Sequence, residues 1–351
     1  MTRRMYSPRT RNLLGALLVL AVLAAACGGS DEKGEQLADG ESASCYEGET
    51  VTFVVPFSPG GGYDVIARGL APYLEKELDA TVVVENQEGA GGLTAANRLY
   101  SSKGEAKTFG LFTGQGLVGS VLGGSEGAGF DLSTFTYIGR LAKEARVLVT
   151  SGKGSMTTVA DLQAADEVRY ATSGVGANDY IDAIIVSPIL DIKAQIITGY
   201  KGSSETVLAV ASGDVDAGSG TVPTRMSAIR NGDERPVLIL GGERAEELPD
   251  TPTMLELDLD DDQRALAEAH AALQAVGRAV LGPPGMPESC VGELVSAFDV
   301  ALSDEKFLAE MESTGTPFDF LPGDELAQVV QAVLDAPAEY KELLQQAYKA
   351  K

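Results

Sequence analysis

The stretch Val51-Thr52-Phe53-Val54-Val55-Pro56-Phe57-Ser58-Pro59-Gly60-Gly61-Gly62-Tyr63-Asp64 decides the fold. Val51 to Val55 is a short apolar, β-branched run, the pattern of a buried strand. Beyond Asp64, apolar residues recur at Val65, Ile66, Leu70, Leu74 and Leu78, which is helical spacing. The segment is therefore strand, glycine-rich turn, helix. Three successive glycines remove every Cβ, so the backbone can take positive φ and come close to a ligand. The helix that follows presents unpaired N–H groups and the positive end of its dipole. Together these make an anion site that needs no basic side chain. Ser58, Gly60, Gly61 and Gly62 are its candidate contacts, and Asp64 would cap the helix or orient the loop. A plain strand–helix turn is the alternative, but three glycines after two prolines exceed what a turn requires.

The α/β pattern continues outward. Strands are expected at Thr81–Val84 and Thr108–Phe112, with a helix at Leu93–Tyr100 between them. The middle repeats the pattern: strands near Arg146–Thr150, Arg169–Thr172, Ala194–Thr198, Val215–Ala217 and Val237–Leu240, separated by helical stretches. Strands alternating with helices predict parallel sheets. The end of the chain is helical, and Glu256–Ala272, acidic and Ala-rich, reads as a solvated helix or loop. Two α/β lobes with a helical tail result, residues 46–143 plus 274–351 forming lobe I and 144–273 lobe II. A second loop of the same type, Thr172-Ser173-Gly174-Val175-Gly176-Ala177-Asn178-Asp179, follows a strand and opens a helix. Thr172, Gly174, Gly176 and Ala177 would face the first loop across a cleft; Asn178 as an ordinary helix cap is the plainer reading.

Ahead of this body, Arg3, Arg4, Arg9 and Arg11 precede the apolar run Leu13–Ala26, which is of signal-peptide length and too short to span a bilayer. Ala24-Ala25-Ala26-Cys27-Gly28-Gly29 resembles a bacterial lipobox. Residues 1–26 then form a lipoprotein signal peptide, with Cys27 diacylated; an incidental Cys27 after a plain secretory signal is the other reading. Residues 27–45 lack apolar periodicity and read as a flexible tether. The expected location is the outer face of the cytoplasmic membrane, lipid-anchored.

Acids outnumber bases 51 to 27, a net charge of −24 that becomes more acidic once the leader arginines are removed. This excludes nucleic-acid binding, which needs basic patches. An anionic ligand is still compatible, because oriented N–H groups in a cleft outweigh distant, screened surface charge. Cys45 and Cys290 in an oxidising compartment suggest a disulfide, with two buried free thiols as the alternative. With His270 the only histidine, no metal site and no cofactor is expected.

Val54-Val55-Pro56-Phe57-Ser58-Pro59-Gly60-Gly61-Gly62-Tyr63-Asp64, with Ala67-Arg68, resembles the opening of the tripartite tricarboxylate transporter solute receptors, the Bug family. Val83-Val84-Glu85-Asn86-Gln87-Glu88-Gly89-Ala90-Gly91-Gly92 resembles that family's next motif. Tyr200-Lys201-Gly202, Ser212 to Ala217, Leu248 to Thr253 and Gly282 to Pro287 follow in the family's order. The resemblance implies a type II periplasmic-binding-protein fold, with each lobe a mainly parallel sheet flanked by helices, and two hinge crossings. It implies a carboxylate held by backbone groups of both loops, and Asp216 in a segment that closes the cleft. Permease subunits are the implied partners, and the receptor would be monomeric. Where many relatives carry Ser and His, this chain has Ala177 and Asp179.

Three other motifs carry competing readings. Gly114-Gln115-Gly116-Leu117-Val118-Gly119 fits GxGxxG but lacks an acid at the expected distance, so its loop is better assigned to the cleft through Thr113 and Gln115. Gly123-Gly124-Ser125-Glu126-Gly127 fits GxSxG, making an exported hydrolase with Ser125 and His270 the alternative function. Asp214 and Asp216 could pair for acid–base chemistry, though nothing places a reacting group between them. A ligand receptor feeding a sensor kinase is the third reading.

Overall fold

In a computed structural model of the chain, residues 44–143, 145–174, 177–312 and 318–349 are described. The expected signal peptide, Cys27, nearly all of the tether, and Gly176 lie outside the described residues. The first pass runs β1 (Thr50–Val55), α1 (Gly62–Leu78), β2 (Thr81–Asn86), α2 (Leu93–Ser101), β3 (Thr108–Thr113), α3 (Gly114–Leu122) and β4 (Thr136–Ala142). The second runs β5 (Arg146–Ser151), α4 (Val159–Ala164), β6 (Val168–Ala171), α5 (Asn178–Ile189), β7 (Ala194–Ile197), α6 (Ser203–Ser212), β8 (Ala217–Thr221), α7 (Val222–Arg230) and β9 (Glu234–Ile239). The return comprises α8 (Asp261–Ala275), β10 (Arg278–Gly282), α9 (Glu288–Ser303), α10 (Glu305–Met311), β11 (Phe318–Pro322), α11 (Gly323–Leu334) and α12 (Ala338–Lys349).

Two sheets result, ordered β11-β4-β10-β3-β1-β2 and β7-β6-β8-β5-β9. They are mixed rather than mainly parallel. β1 pairs parallel with β2 and β3, and β6 with β7 and β8; β4 runs antiparallel to β10 and β11, β3 to β10, and β5 to β8 and β9. The connectivity explains the difference. β4 leaves the first sheet for the second and its neighbour β10 arrives from it, so the two must run oppositely. β5 and β9 stand in the same relation on the other side.

Against one face of the first sheet lie α1, α9 and α10. Phe53, Phe109 and Phe298 meet there, with ring centroids 4.8 to 5.9 Å apart in offset or edge-on arrangements, the geometry aromatic quadrupoles favour. Cys45 and Cys290 form a disulfide that ties the start of the body to α9. Tyr46, fully buried beside it, donates its hydroxyl to the carbonyls of Ala106 and Cys290.

A second core cluster joins α3, α5, α8, α11 and α12 through Leu117, Ile181, Ile185, Leu273, Val330 and Leu344. α8 departs from expectation. Asp260 caps it by accepting from Gln263 N, as a surface start should. Yet Leu266, Ala267, His270 and Leu273 are buried. Their spacing is a helical stripe, hidden in the sequence among acids and alanines.

Candidate functional site

α1 begins where Gly61 serves as N-cap without any side-chain hydrogen bond. Gly60 has φ +79°, the left-handed region that glycine tolerates without strain. The Asp64 carboxylate closes this loop. It is buried and accepts from Gly60 N at 2.7 Å, Arg68 Nε at 2.9 Å and Asn86 Nδ2 at 2.9 Å. Burial pushes its pKa up, but those hydrogen bonds and the Arg68 charge outweigh burial and hold it below the usual value. Asn86 Nδ2 also donates to Phe57 O, and Arg68 Nη2 donates to Asn86 Oδ1. Asp64 therefore orients the loop, and its carboxylate is directed at the loop itself rather than at a ligand.

The second loop is built alike. Asp179, in the first turn of α5, accepts from Ser173 N at 2.8 Å and Ser173 Oγ at 2.6 Å. α5 is capped by Ala177, not Asn178, and again without a side-chain bond.

A cavity of about 600 Å³ lies between these loops. Four helix N-termini reach it. Tyr63 comes from the first turn of α1, Leu93 opens α2, Thr113 and Gly116 begin α3, and Ala177 and Asn178 begin α5. Thr113 caps α3, its hydroxyl accepting from Gly116 N at 3.5 Å. Ala90 and Gly91, Ser120, Ser125 and Tyr348 complete most of the wall. Phe57 and Tyr63 stack obliquely, centroids 4.8 Å apart, and the Arg278 guanidinium lies 5.0 Å from the Tyr63 ring. Among the described residues, no charged side chain lines this cavity. Its polarity comes from hydroxyls, one Asn and helix dipoles, each equivalent to about half a positive charge at its N-terminus.

Of the residues expected from sequence, Thr113 and Ala177 line the cavity. Ser58 and Gly60 to Gly62 form the exposed outer part of the first loop, next to the lining residues Phe57 and Tyr63. Gln115, in the first turn of α3, is buried and does not line the cavity, and its Nε2 has no hydrogen-bond partner among the described residues. Gly174 leaves open space where a Cβ would stand. Thr172 turns away, donating its hydroxyl to Ile197 O. Asp216 is elsewhere altogether. It precedes β8, beside Arg169 at the start of β6, whereas the second loop leaves the end of β6. Arg169 donates to it from N, Nε and Nη2, and these bonds, with the Arg169 charge, hold its carboxyl below the usual value despite partial burial. Its chemistry is spent on that pair, and it lines a separate surface hollow.

The structure resolves the competing motifs. A Cβ on Gly114 would overlap Val276, and one on Gly123 would overlap the Tyr348 ring; these glycines serve close helix contacts. Ser125 does line the cavity, but His270 is fully buried elsewhere, with Nδ1 at 3.2 Å from Tyr340 Oη and Nε2 at 3.3 Å from Asp182 Oδ1. Both ring nitrogens are engaged, so no Ser125–His270 pair forms. Asp214 hydrogen-bonds Ser212, at the hollow's edge. Among the described residues, no cluster of side chains could hold a metal ion.

Sequence reasoning missed Phe57, Tyr63, Ala90, Gly91, Ser120 and Tyr348. The first four flank or belong to glycine motifs, which could have flagged them.

The model of the tripartite tricarboxylate transporter family receptor matches residues 66–346. Protein BugT of Bordetella pertussis is 29% identical over 222 residues, covering 62% of this chain and 68% of its own. Among solved structures, a TctC solute binding protein from Polaromonas superposes with a TM-score of 0.71 at 18% identity, covering 85% of this chain and 98% of that one. MatC from Rhodopseudomonas palustris, solved with bound malate, superposes with a TM-score of 0.61 at 22% identity, covering 84% and 99%. The two-sheet fold of this chain is thus that of the periplasmic binding proteins, and the family match spans most of its length. The chain belongs to the tripartite tricarboxylate transporter receptor family.

Proposed function

We propose that this chain is an extracytoplasmic receptor that captures a small carboxylate in the cavity between its two sheets, without catalysis, and delivers it to the permease subunits of a tripartite tricarboxylate transporter. The observation that carries this reading is the convergence of four helix N-termini on one cavity whose described lining has no charged side chain. An anion there meets N–H groups left over by each helix ladder. A cation there would face positive dipole ends and, among the described lining residues, no carboxylate. The ligand carboxylate sits against the first turns of α1, α3 and α5, with Gly60 to Gly62, Gly174, Gly176 and Ala177 supplying backbone contacts. Lobe I, residues 46–143 plus 274–351, and lobe II, residues 144–273, close around it as the ligand engages both. The receptor acts as a monomer held at the membrane by lipid on Cys27.

Malate, the ligand in the MatC structure, is a suitable first probe. Calorimetric titration of the soluble body with malate, citrate and acetate tests the reading. Saturable one-site heat with a di- or tricarboxylate is expected, and Gly61→Leu, whose side chain starts 3.3 Å from Ser58 O, should weaken it at least tenfold. Silence with every carboxylate, or unchanged affinity in the variant, would overturn it.

A further inference from the structure

α12 brings a tyrosine into the cavity from the far end of the sequence. Tyr340, one turn into this helix, is fully buried, its hydroxyl 3.2 Å from His270 Nδ1. Leu344 and Ala347 are buried on the same side. Two turns beyond Tyr340, Tyr348 lays its ring over Gly123, where a Cβ would stand only 2.2 Å from the ring edge. Its hydroxyl accepts from Ser120 Oγ at 3.3 Å and lies 3.4 Å from where a Cβ of Gly119 would be. The glycines of α3 thus form a groove shaped to this ring. Burial raises the Tyr348 pKa, so the hydroxyl stays neutral at physiological pH.

Position along α3 gives the ring its consequence. Thr113 and Gly116 mark the positive end of α3, where a carboxylate docks. Tyr348 meets the helix at Ser120 and Gly123, about 10 Å further along at 1.5 Å per residue. A ligand anchored at the helix N-termini and extending along α3 runs toward this ring. We propose that Tyr348 is a specificity-determining residue that sets the maximum length of diacid the cavity accepts. The inference rests on the carboxylate-receptor reading above and names the feature that discriminates within that class.

The test uses straight-chain α,ω-diacids, succinate, adipate and suberate, titrated calorimetrically into the wild-type protein and into Tyr348→Ala, Tyr348→Leu and Tyr348→Phe. The wild type should bind one of the shorter diacids and discriminate against suberate. Tyr348→Ala should improve suberate binding about tenfold relative to succinate, the discrimination a few methylenes command in an apolar pocket. Tyr348→Leu, which fills more of the ring's space and better preserves the packing, should give a smaller shift in the same direction. Tyr348→Phe keeps the ring and should keep the cutoff. Wild-type binding with an unchanged length preference in both Tyr348→Ala and Tyr348→Leu would overturn this inference alone. Absence of binding to any diacid by the wild type would overturn the receptor reading and this inference with it.

Discussion

Asn86 holds the first loop together more directly than any glycine in it. Its amide bonds both Phe57 O and Asp64 Oδ1, while its carbonyl accepts from Arg68. Hydrogen bonds to a charged group contribute about 1.5–3 kcal/mol. Asn86→Ala should therefore weaken carboxylate binding roughly tenfold or more, read by calorimetry, because the loop backbone loses its set position while the sheet below it is untouched. At this scale the sequence was partly legible. Thr113 and Ala177 could be found because a strand ending before a glycine-bearing helix start is a local pattern. Asp64 was legible as a loop-orienting group for the same reason. Asp216 was misplaced because a short motif does not say which end of a strand it occupies. Tyr348 carried no local signal at all, since the groove that gives it meaning lies on α3.

Among elements, α5 and α8 are joined by a buried polar network. Asp182 accepts from Arg146 Nη2 at 2.6 Å, Arg146 Nε at 2.8 Å and Ser219 Oγ at 2.6 Å, with His270 and Gln274 of α8 at 3.3 Å. Burial would raise its pKa, but Arg146 and His270 outweigh burial and keep it far below the usual carboxylate value of 3.8. A lowered folded-state pKa gives stability that is full above the unfolded value and is lost as pH falls below it. Acid should therefore destabilise the wild type progressively below about pH 4. Asp182→Asn, which removes the carboxylate that Arg146 and Ser219 donate to, should lose about 3–5 kcal/mol at neutral pH and show a flatter acid limb, both measurable by urea unfolding across pH. The Cys45–Cys290 disulfide closes a span of 245 residues. Its removal in Cys45→Ser/Cys290→Ser should cost about 2–5 kcal/mol by the same assay. Legibility was uneven here too. β1, α1 and β3 were readable from their patterns, whereas β4, β10 and β11 were not. β4 and β10 carry the chain out of and back into the first sheet, and β11 pairs with β4 after α9 and α10, a consequence of connectivity that no local window contains.

The whole molecule combines an acidic exterior with a cavity whose described walls carry no charge. Net charge of −24 would repel an anion at long range, but screening confines that repulsion to about 8–10 Å in physiological salt. Inside the cavity, the N-termini of four helices converge on a lining whose described residues carry no charged side chain, so a carboxylate entering it would meet their positive dipole ends at short range, where screening is weakest. The fold class and the presence of a cleft were readable from two strand–loop–helix repeats. The approach of α3 was also expected through Thr113, but that of α2 was not, because α2 reaches the cavity only through sheet order. Because α3, α5, α8, α11 and α12 share one packed layer, the proposed closure would have to slide packed surfaces rather than close an empty gap. Small-angle scattering should accordingly show a modest decrease in radius of gyration on saturation with a bound dicarboxylate, and no change with a non-binding monocarboxylate.

Calorimetric titration of the body with a panel of mono-, di- and tricarboxylates, repeated for Gly61→Leu, is the most direct test of the central claim. The account predicts one-site binding of a carboxylate by the wild type, with at least a tenfold loss in the variant. Failure of every carboxylate to bind, or binding that Gly61→Leu leaves intact, would contradict it.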